Sequence, residues 1–286
     1  MLRRRCRPDL LRLHHHHRRP LARRRFVLES QDFQRFPVYS QTPESPTNDS
    51  MADFKRKTGN ENFRRSFMTW FNLVLLLIIY PAVSLAGMKQ DPSILLKSLT
   101  QGMLMFMLVV TVIFEWSIFG MNYLGTYMEK TGLRGVGLPR IRLLDFAWAI
   151  AFYLAANAIL SLLASGLAKI GLPIPGDVGL LIPTTTYGKV FWVVVAATAG
   201  ICEEIAFRGY LMTRLRLTFN LKSWIIPTIV ASLAFGSAHG YQGPGGMILI
   251  SVYGLMFALL FIYTGRLWPC IIAHFLQDAL NLFLPH

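Results

Sequence analysis

Charge is scarce in this chain: Asp, Glu, Lys and Arg make up 15% of its 286 residues, against 53% hydrophobic residues. That balance excludes a chain disordered throughout, and a mean hydropathy of +0.42 is high for a water-soluble domain. Cysteine is equally sparse, with Cys6, Cys202 and Cys270 far apart and in no CxxC pair. Neither a disulfide framework nor a cysteine zinc site can be built from them, and Cys202 and Cys270 read as small residues of apolar runs. Also missing are a GxxxxGK loop, a GxGxxG fingerprint, an HExxH helix and a GxSxG elbow. Their absence counts against nucleotide enzymes, soluble zincins and serine hydrolases.

Long apolar runs, by contrast, are abundant. Several approach the roughly 20 residues that cross a bilayer core of about 30 Å. They predict seven spans, at roughly 67–87, 98–121, 146–168, 189–212, 224–240, 247–265 and 267–284. The expected fold is all-α: a polytopic transmembrane helix bundle with the lipid bilayer as its first partner. The loop GYQGPGG, Gly240 to Gly246, should break the chain into a turn or a short re-entrant segment between two spans.

The formal net charge of +14 would suit a nucleic-acid binder until the charges are located. Sixteen of the 29 basic residues and seven of the 15 acidic ones lie at or before Arg65. A basic tail on a membrane bundle is an orientation signal and a contact for anionic lipid, so no nucleic-acid partner is expected. Residues 1–66 are expected to form a disordered cytoplasmic tail. Within it Met51 is a candidate natural start, an organellar transit peptide is the other reading, and the His14 to His17 run is too short for a metal site. With the amino terminus inside, the inner segments hold 24 basic residues; the outer ones hold four, Lys89, Lys97, Lys169 and Lys189. This predicts a multi-pass integral membrane protein, amino terminus cytoplasmic and carboxyl terminus outside, in a bacterial cell membrane.

Ionisable groups inside spans cost about 2.5–3.5 kcal/mol each on insertion scales and so require a partner, a cavity or a task. Three polar islands stand out: CEEIAFRGY with Glu203, Glu204 and Arg208, FGSAH ending at His239, and HFLQD with His274 and Asp278. On a regular helix Glu204 and Arg208, at i and i+4, share a face and can pair. Glu203, about 100° around the helix, is left as the free carboxylate, able to take a proton from water. His274 and Asp278 are again i and i+4. Taken singly, a Glu–Arg pair or an intramembrane histidine is ordinary bundle chemistry; the conjunction of three islands points to a site. Two arrangements fit it. In one, a water is activated between a general base and histidine donors; in the other, Glu203, His239 and His274 ligate a divalent metal such as zinc that does the same. Both predict hydrolysis. Glu115, in the second span, lies outside the islands and reads as a helix-packing or interfacial carboxylate, and the six tryptophans read as interface or packing residues.

The motifs Glu203-Glu204-Ile-Ala-Phe-Arg208, Phe235-Gly-Ser-Ala-His239 and His274-Phe-Leu-Gln-Asp278, in this order, resemble the CPBP family of CAAX proteases and bacteriocin-processing enzymes, also called the Abi family. The resemblance spans about 146–284. It implies a protease core at 146–286, preceded by amino-terminal helices and a cytoplasmic loop at 67–145, with a cavity open toward the cytoplasm. It further implies an intramembrane endopeptidase in which Glu203 activates the attacking water with help from His239. His274 and Asp278 would stabilise the oxyanion, and Glu204 with Arg208 would support the site. The family often has Asn where this chain has Asp278; an anionic carboxylate is a poorer oxyanion donor unless it is protonated or orients His274. The family has been described both as metal-dependent and as glutamate-dependent, and the metal-free arrangement is slightly favoured here, with no cofactor required. The implied partner is a peptide or protein substrate, prenylated at its carboxyl terminus or not; oligomeric state is not readable. The competing reading is a non-catalytic membrane scaffold or bacteriocin-immunity protein on the same fold.

Overall fold

The computed structural model describes residues 67–87, 100–174 and 181–283. The readings made for the tail through residue 66, and for Lys89 and Lys97, lie outside these residues. Within them the chain is helical, with no strand. Helices α1 (Phe67–Ala86), α2 (Gln101–Met128), α3 (Leu143–Lys169) and α4 (Thr186–Thr218) are each long and apolar enough to cross a membrane. So is the segment Gly240–Thr264, made of a 3-10 turn at Gly240–Gln242 and helix α6 (Gly243–Thr264). The remaining two helices are α5 (Ile225–Ser237) and α7 (Trp268–Leu280), of 13 residues each. At 1.5 Å per residue they are about 20 Å long, so these two expected spans are short helices that end at membrane depth.

Local chemistry explains the ends. Thr100 and Thr185 accept hydrogen bonds from the backbone N–H groups of Met103 and Gly188, capping α2 and α4. Pro244 and Pro269 stand in the first turns of α6 and α7, where no N–H is missed. Gly265 ends α6 in the left-handed conformation at φ +66°. The GYQGPGG loop is a tight turn between α5 and α6. It is docked on α1 by a 2.8 Å bond from the Gly240 N–H to Ser84 Oγ.

Helix α4 is the centre of the bundle, packed by α2, α5 and α7, while α3 covers α6 and α7. Apolar side chains such as Phe106, Leu143 and Leu162 cover the outer surface, as lipid requires. Without a hydrophobic force between helices in lipid, close approach and interhelical hydrogen bonds hold such a bundle. At one end Arg266, in the α6–α7 turn, grips Asp145 at the start of α3 through two bonds of 2.6 and 2.7 Å and donates to the Arg140 carbonyl. That carboxylate raises the pKa of Arg266 further. Near the end of α4, Arg214 pairs with Glu129 just past α2, and Thr69 of α1 donates to the same carboxylate.

Candidate active site

The site begins with a change of winding in α4. Its α-helical part runs Thr186–Glu203, and Glu204–Leu211 then continues as a π-helix. The wider i→i+5 winding is a recurrent feature of functional sites. Here it permits what a regular helix forbids: adjacent Glu203 and Glu204 reach the two nitrogens of one imidazole. Gly209 allows the loop to close over the π segment, since a Cβ there would come within 2.9 Å of the Val136 carbonyl oxygen and of Leu267. Gly200 allows α4 and α7 to touch, because a Cβ would meet the Ile271 carbonyl oxygen at 2.9 Å and the Phe275 nitrogen at 3.1 Å.

This contact presents His274 to α4. Its Nδ1–H donates to Glu204 Oε1 at 2.9 Å, and Arg208 Nη1 donates to the same oxygen at 2.9 Å. The expected Glu204–Arg208 pair is therefore present, and it extends to the histidine. On the other edge of the ring, Nε2 lies 3.8 Å from Glu203 Oε2 and 3.6 Å from Asp278 Oδ2. Glu203, Glu204, Arg208 and His274 are buried, whereas the Asp278 side chain is 28% exposed. Among the described residues, Glu203 Oε2 has no hydrogen-bond partner.

Aromatic rings frame this polar centre. Phe257 stacks on His274 at 5.4 Å, with Phe235 at 6.3 Å and Tyr253 at 6.4 Å edge-on. Arg208 lies over the faces of Phe235 and Phe257, at 4.1 and 5.0 Å, a cation–π arrangement that keeps its charge in an apolar setting. Phe235 also abuts His239 at 4.9 Å, so it links the two histidines. The Nδ1–H of His239 donates to the Phe235 carbonyl at 2.9 Å, which leaves Nε2 as the nitrogen available to a reactant.

The structure thus brings Glu203, Glu204, Arg208, His274 and Asp278 together by direct contacts and places His239 beside them through Phe235. Sequence reasoning missed the supports. Trp192, read as a packing residue, donates Nε1–H to the Asp278 carbonyl at 2.9 Å, and Asn157 of α3 donates to Gln277 at 3.0 Å. Asn157 is a mid-span amide, the kind of polar residue that could have signalled such a bond. Glu115 is buried, with Oε2 lacking a partner among the described residues.

The same geometry bears on metal binding. Among the described residues, no group of three or more His, Cys, Asp or Glu side chains is placed to hold a metal ion. The Nδ1 of each histidine is already engaged, by Glu204 or by a backbone carbonyl. Glu203, His239 and His274 do not form a ligand set as they stand, so no step below passes through a metal.

Comparison with known families matches residues 184–280 to type II CAAX prenyl endopeptidase Rce1-like proteins. Residues 184–280 belong to the CPBP/CAAX protease family. The match holds α4 through α7 and every residue of the three polar islands, and leaves α1, α2 and α3 outside it. Comparisons with curated proteins and with solved structures give no match. The CAAX-protease assignment makes the chain a protease-type hydrolase within a multi-pass membrane protein, with a protein as the class of substrate.

Proposed function

We propose that the protein is a glutamate-dependent intramembrane endopeptidase, with Glu203 as the base that activates the attacking water. The observation that carries this reading is the imidazole of His274 held between two adjacent glutamates, Glu204 at Nδ1 and Glu203 near Nε2. Glu204 is committed to Arg208 and His274, so its role is to hold the ring. Glu203 has an oxygen with no partner, so it is the carboxylate free to take a proton.

In the proposed reaction, water loses a proton to Glu203, and its oxygen adds to the peptide carbonyl carbon as the C=O π electrons move to oxygen. His239, through its Nε2, helps orient the water. An imidazolium at His274, balanced by the carboxylates around it, donates Nε2–H to the oxyanion. Asp278, anionic and 3.6 Å from that nitrogen, acts by orienting and balancing His274 rather than by donating to the oxyanion. Collapse then breaks the C–N bond as Glu203 returns its proton to the leaving nitrogen. The substrate is proposed to be a peptide or protein, with prenylated carboxyl-terminal peptides as the first class to test, at a bacterial cell membrane and with the amino terminus in the cytoplasm.

The test is cleavage of matched prenylated and unprenylated peptides by purified protein, wild type against Glu203→Gln, with and without chelator. Wild-type cleavage that falls by about 10³-fold or more in a folded, monodisperse Glu203→Gln protein supports the base assignment. Equal cleavage by both proteins removes Glu203 from the mechanism. Loss of wild-type cleavage with chelator would reinstate a metal.

A further inference from the structure

Glu115 is the one buried carboxylate of α2, and it comes from a helix that the family match does not include. It sits near the middle of α2, about 20 Å from either end at 1.5 Å per residue, where lipid is least tolerant of charge. A carboxylate kept there for packing would be expected to bond across to a neighbouring helix. The hydrogen bond at this level is instead made by the next residue: Trp116 Nε1–H donates to Thr198 Oγ1 of α4 at 3.2 Å. On the other side Phe114 packs edge-on to Tyr80 at 5.3 Å, and Tyr80 packs on Phe207 of α4 at 6.1 Å. Glu115 is therefore flanked by two residues that fasten α2 to the site helix and to α1. Its own Oε2 is buried and without a partner among the described residues.

The charges that act on Glu115 are those of the site: Glu203 first, then His274 and Asp278. Glu203 likewise keeps a buried Oε2 with no hydrogen-bond partner. Two unpartnered carboxylate oxygens, from α2 and α4 and within each other's field, require donors, and neither can donate to the other while both are ionised. A molecule with two hydrogens meets the requirement, and the reaction proposed above uses one.

Resting on that proposed function, we infer that Glu115 is a further catalytic residue, the second acceptor for the attacking water. The water donates one hydrogen to Glu203 and the other to Glu115, which aims an oxygen lone pair at the substrate carbonyl. The first hydrogen passes to Glu203 as the carbon–oxygen bond forms. The second stays on the new hydroxyl oxygen, held by Glu115, until the C–N bond breaks.

The experiment measures kcat, KM and peptide binding for wild type, Glu115→Gln, Glu115→Leu and Glu203→Gln, with melting temperature as the check on folding. Gln keeps an accepting oxygen and Leu does not. The expected order is a loss in kcat of about 10-fold for Glu115→Gln and about 100-fold or more for Glu115→Leu, with KM and peptide binding within about twofold of wild type. Wild-type kcat in both variants overturns the inference. So does a loss confined to Glu115→Leu that tracks a lowered melting temperature while Glu115→Gln matches wild type, because that is the signature of packing. Retained activity in Glu203→Gln would instead reject the base assignment, a result distinct from either.

Discussion

At the scale of single residues the site is a set of carboxylates sorted by what they already hold. Glu204 is fully buried and shares one oxygen between Arg208 and His274, so removing its charge would strand a buried guanidinium. Breaking such a pair costs about 3–5 kcal/mol, which makes Glu204 a stability residue as well as a site residue. Asp278 is different. Its side chain is the most exposed of the group, and its 3.6 Å approach to His274 Nε2 is too long for a hydrogen bond. In Asp278→Asn the amide could donate to an oxyanion where the carboxylate cannot, and the orienting contact is nearly isosteric. Activity of Asp278→Asn is expected within about tenfold of wild type, with Asp278→Leu lower by about 100-fold, both read as kcat on the same peptide. If Asn were as damaging as Leu, the negative charge itself would be what the site uses.

At the scale of elements, close approach between α4 and α7 decides whether those residues meet. Gly200 is one turn before Glu203 and lies against the backbone that carries His274. In Gly200→Leu a side chain must enter a contact already at van der Waals limits. Such overpacking costs about 1–3 kcal/mol and displaces α7 from Glu204. The expected result is a lowered melting temperature and at least a 100-fold loss of cleavage in whatever fraction remains folded. Gly200→Ala should be milder on both counts, and wild-type behaviour in Gly200→Leu would show that the helices can separate without harm. Much of this layer was legible beforehand. Apolar runs marked the spans to within a few residues, and the i, i+4 spacing foretold both the Glu204–Arg208 pair and the shared face of His274 and Asp278. The π winding at Glu204–Leu211 was not legible, because a shift from i→i+4 to i→i+5 bonding over two turns leaves apolar periodicity almost unchanged. The setting of Glu115 escaped for another reason: nothing along α2 records which helix it will face. The lengths of α5 and α7 were overestimated because flanking turns are as apolar as the helices.

At the scale of the whole molecule, the open variable is orientation, and it decides from which side a substrate arrives. Helix α4 has 33 residues and so is about 50 Å long, well beyond a 30 Å core, and its surplus lies at the end that carries Arg214 and Arg216. The same end of the bundle carries Arg140, Arg142 and Arg266, bound together around Asp145. The opposite end carries Lys169 and Lys189. By the charge asymmetry the arginine-rich end faces the cytoplasm. His274 comes six residues after Trp268, about 9 Å along α7 from that end, which puts the site nearer the cytoplasmic face. Two single-cysteine variants, Lys169→Cys and Lys222→Cys, each in a Cys6→Ser background and probed with a membrane-impermeant maleimide, test this, since Cys202 and Cys270 are buried. The thiol of Lys169→Cys should be labelled in intact cells, and that of Lys222→Cys only in inverted vesicles. A tag after residue 286 should report on the same side as Lys169→Cys if the short helix α7 completes the seventh crossing. A tag on the side of Lys222→Cys would mean that α7 turns back within the bilayer. Reversal of both labelling patterns would invert the bundle and bring substrate from outside.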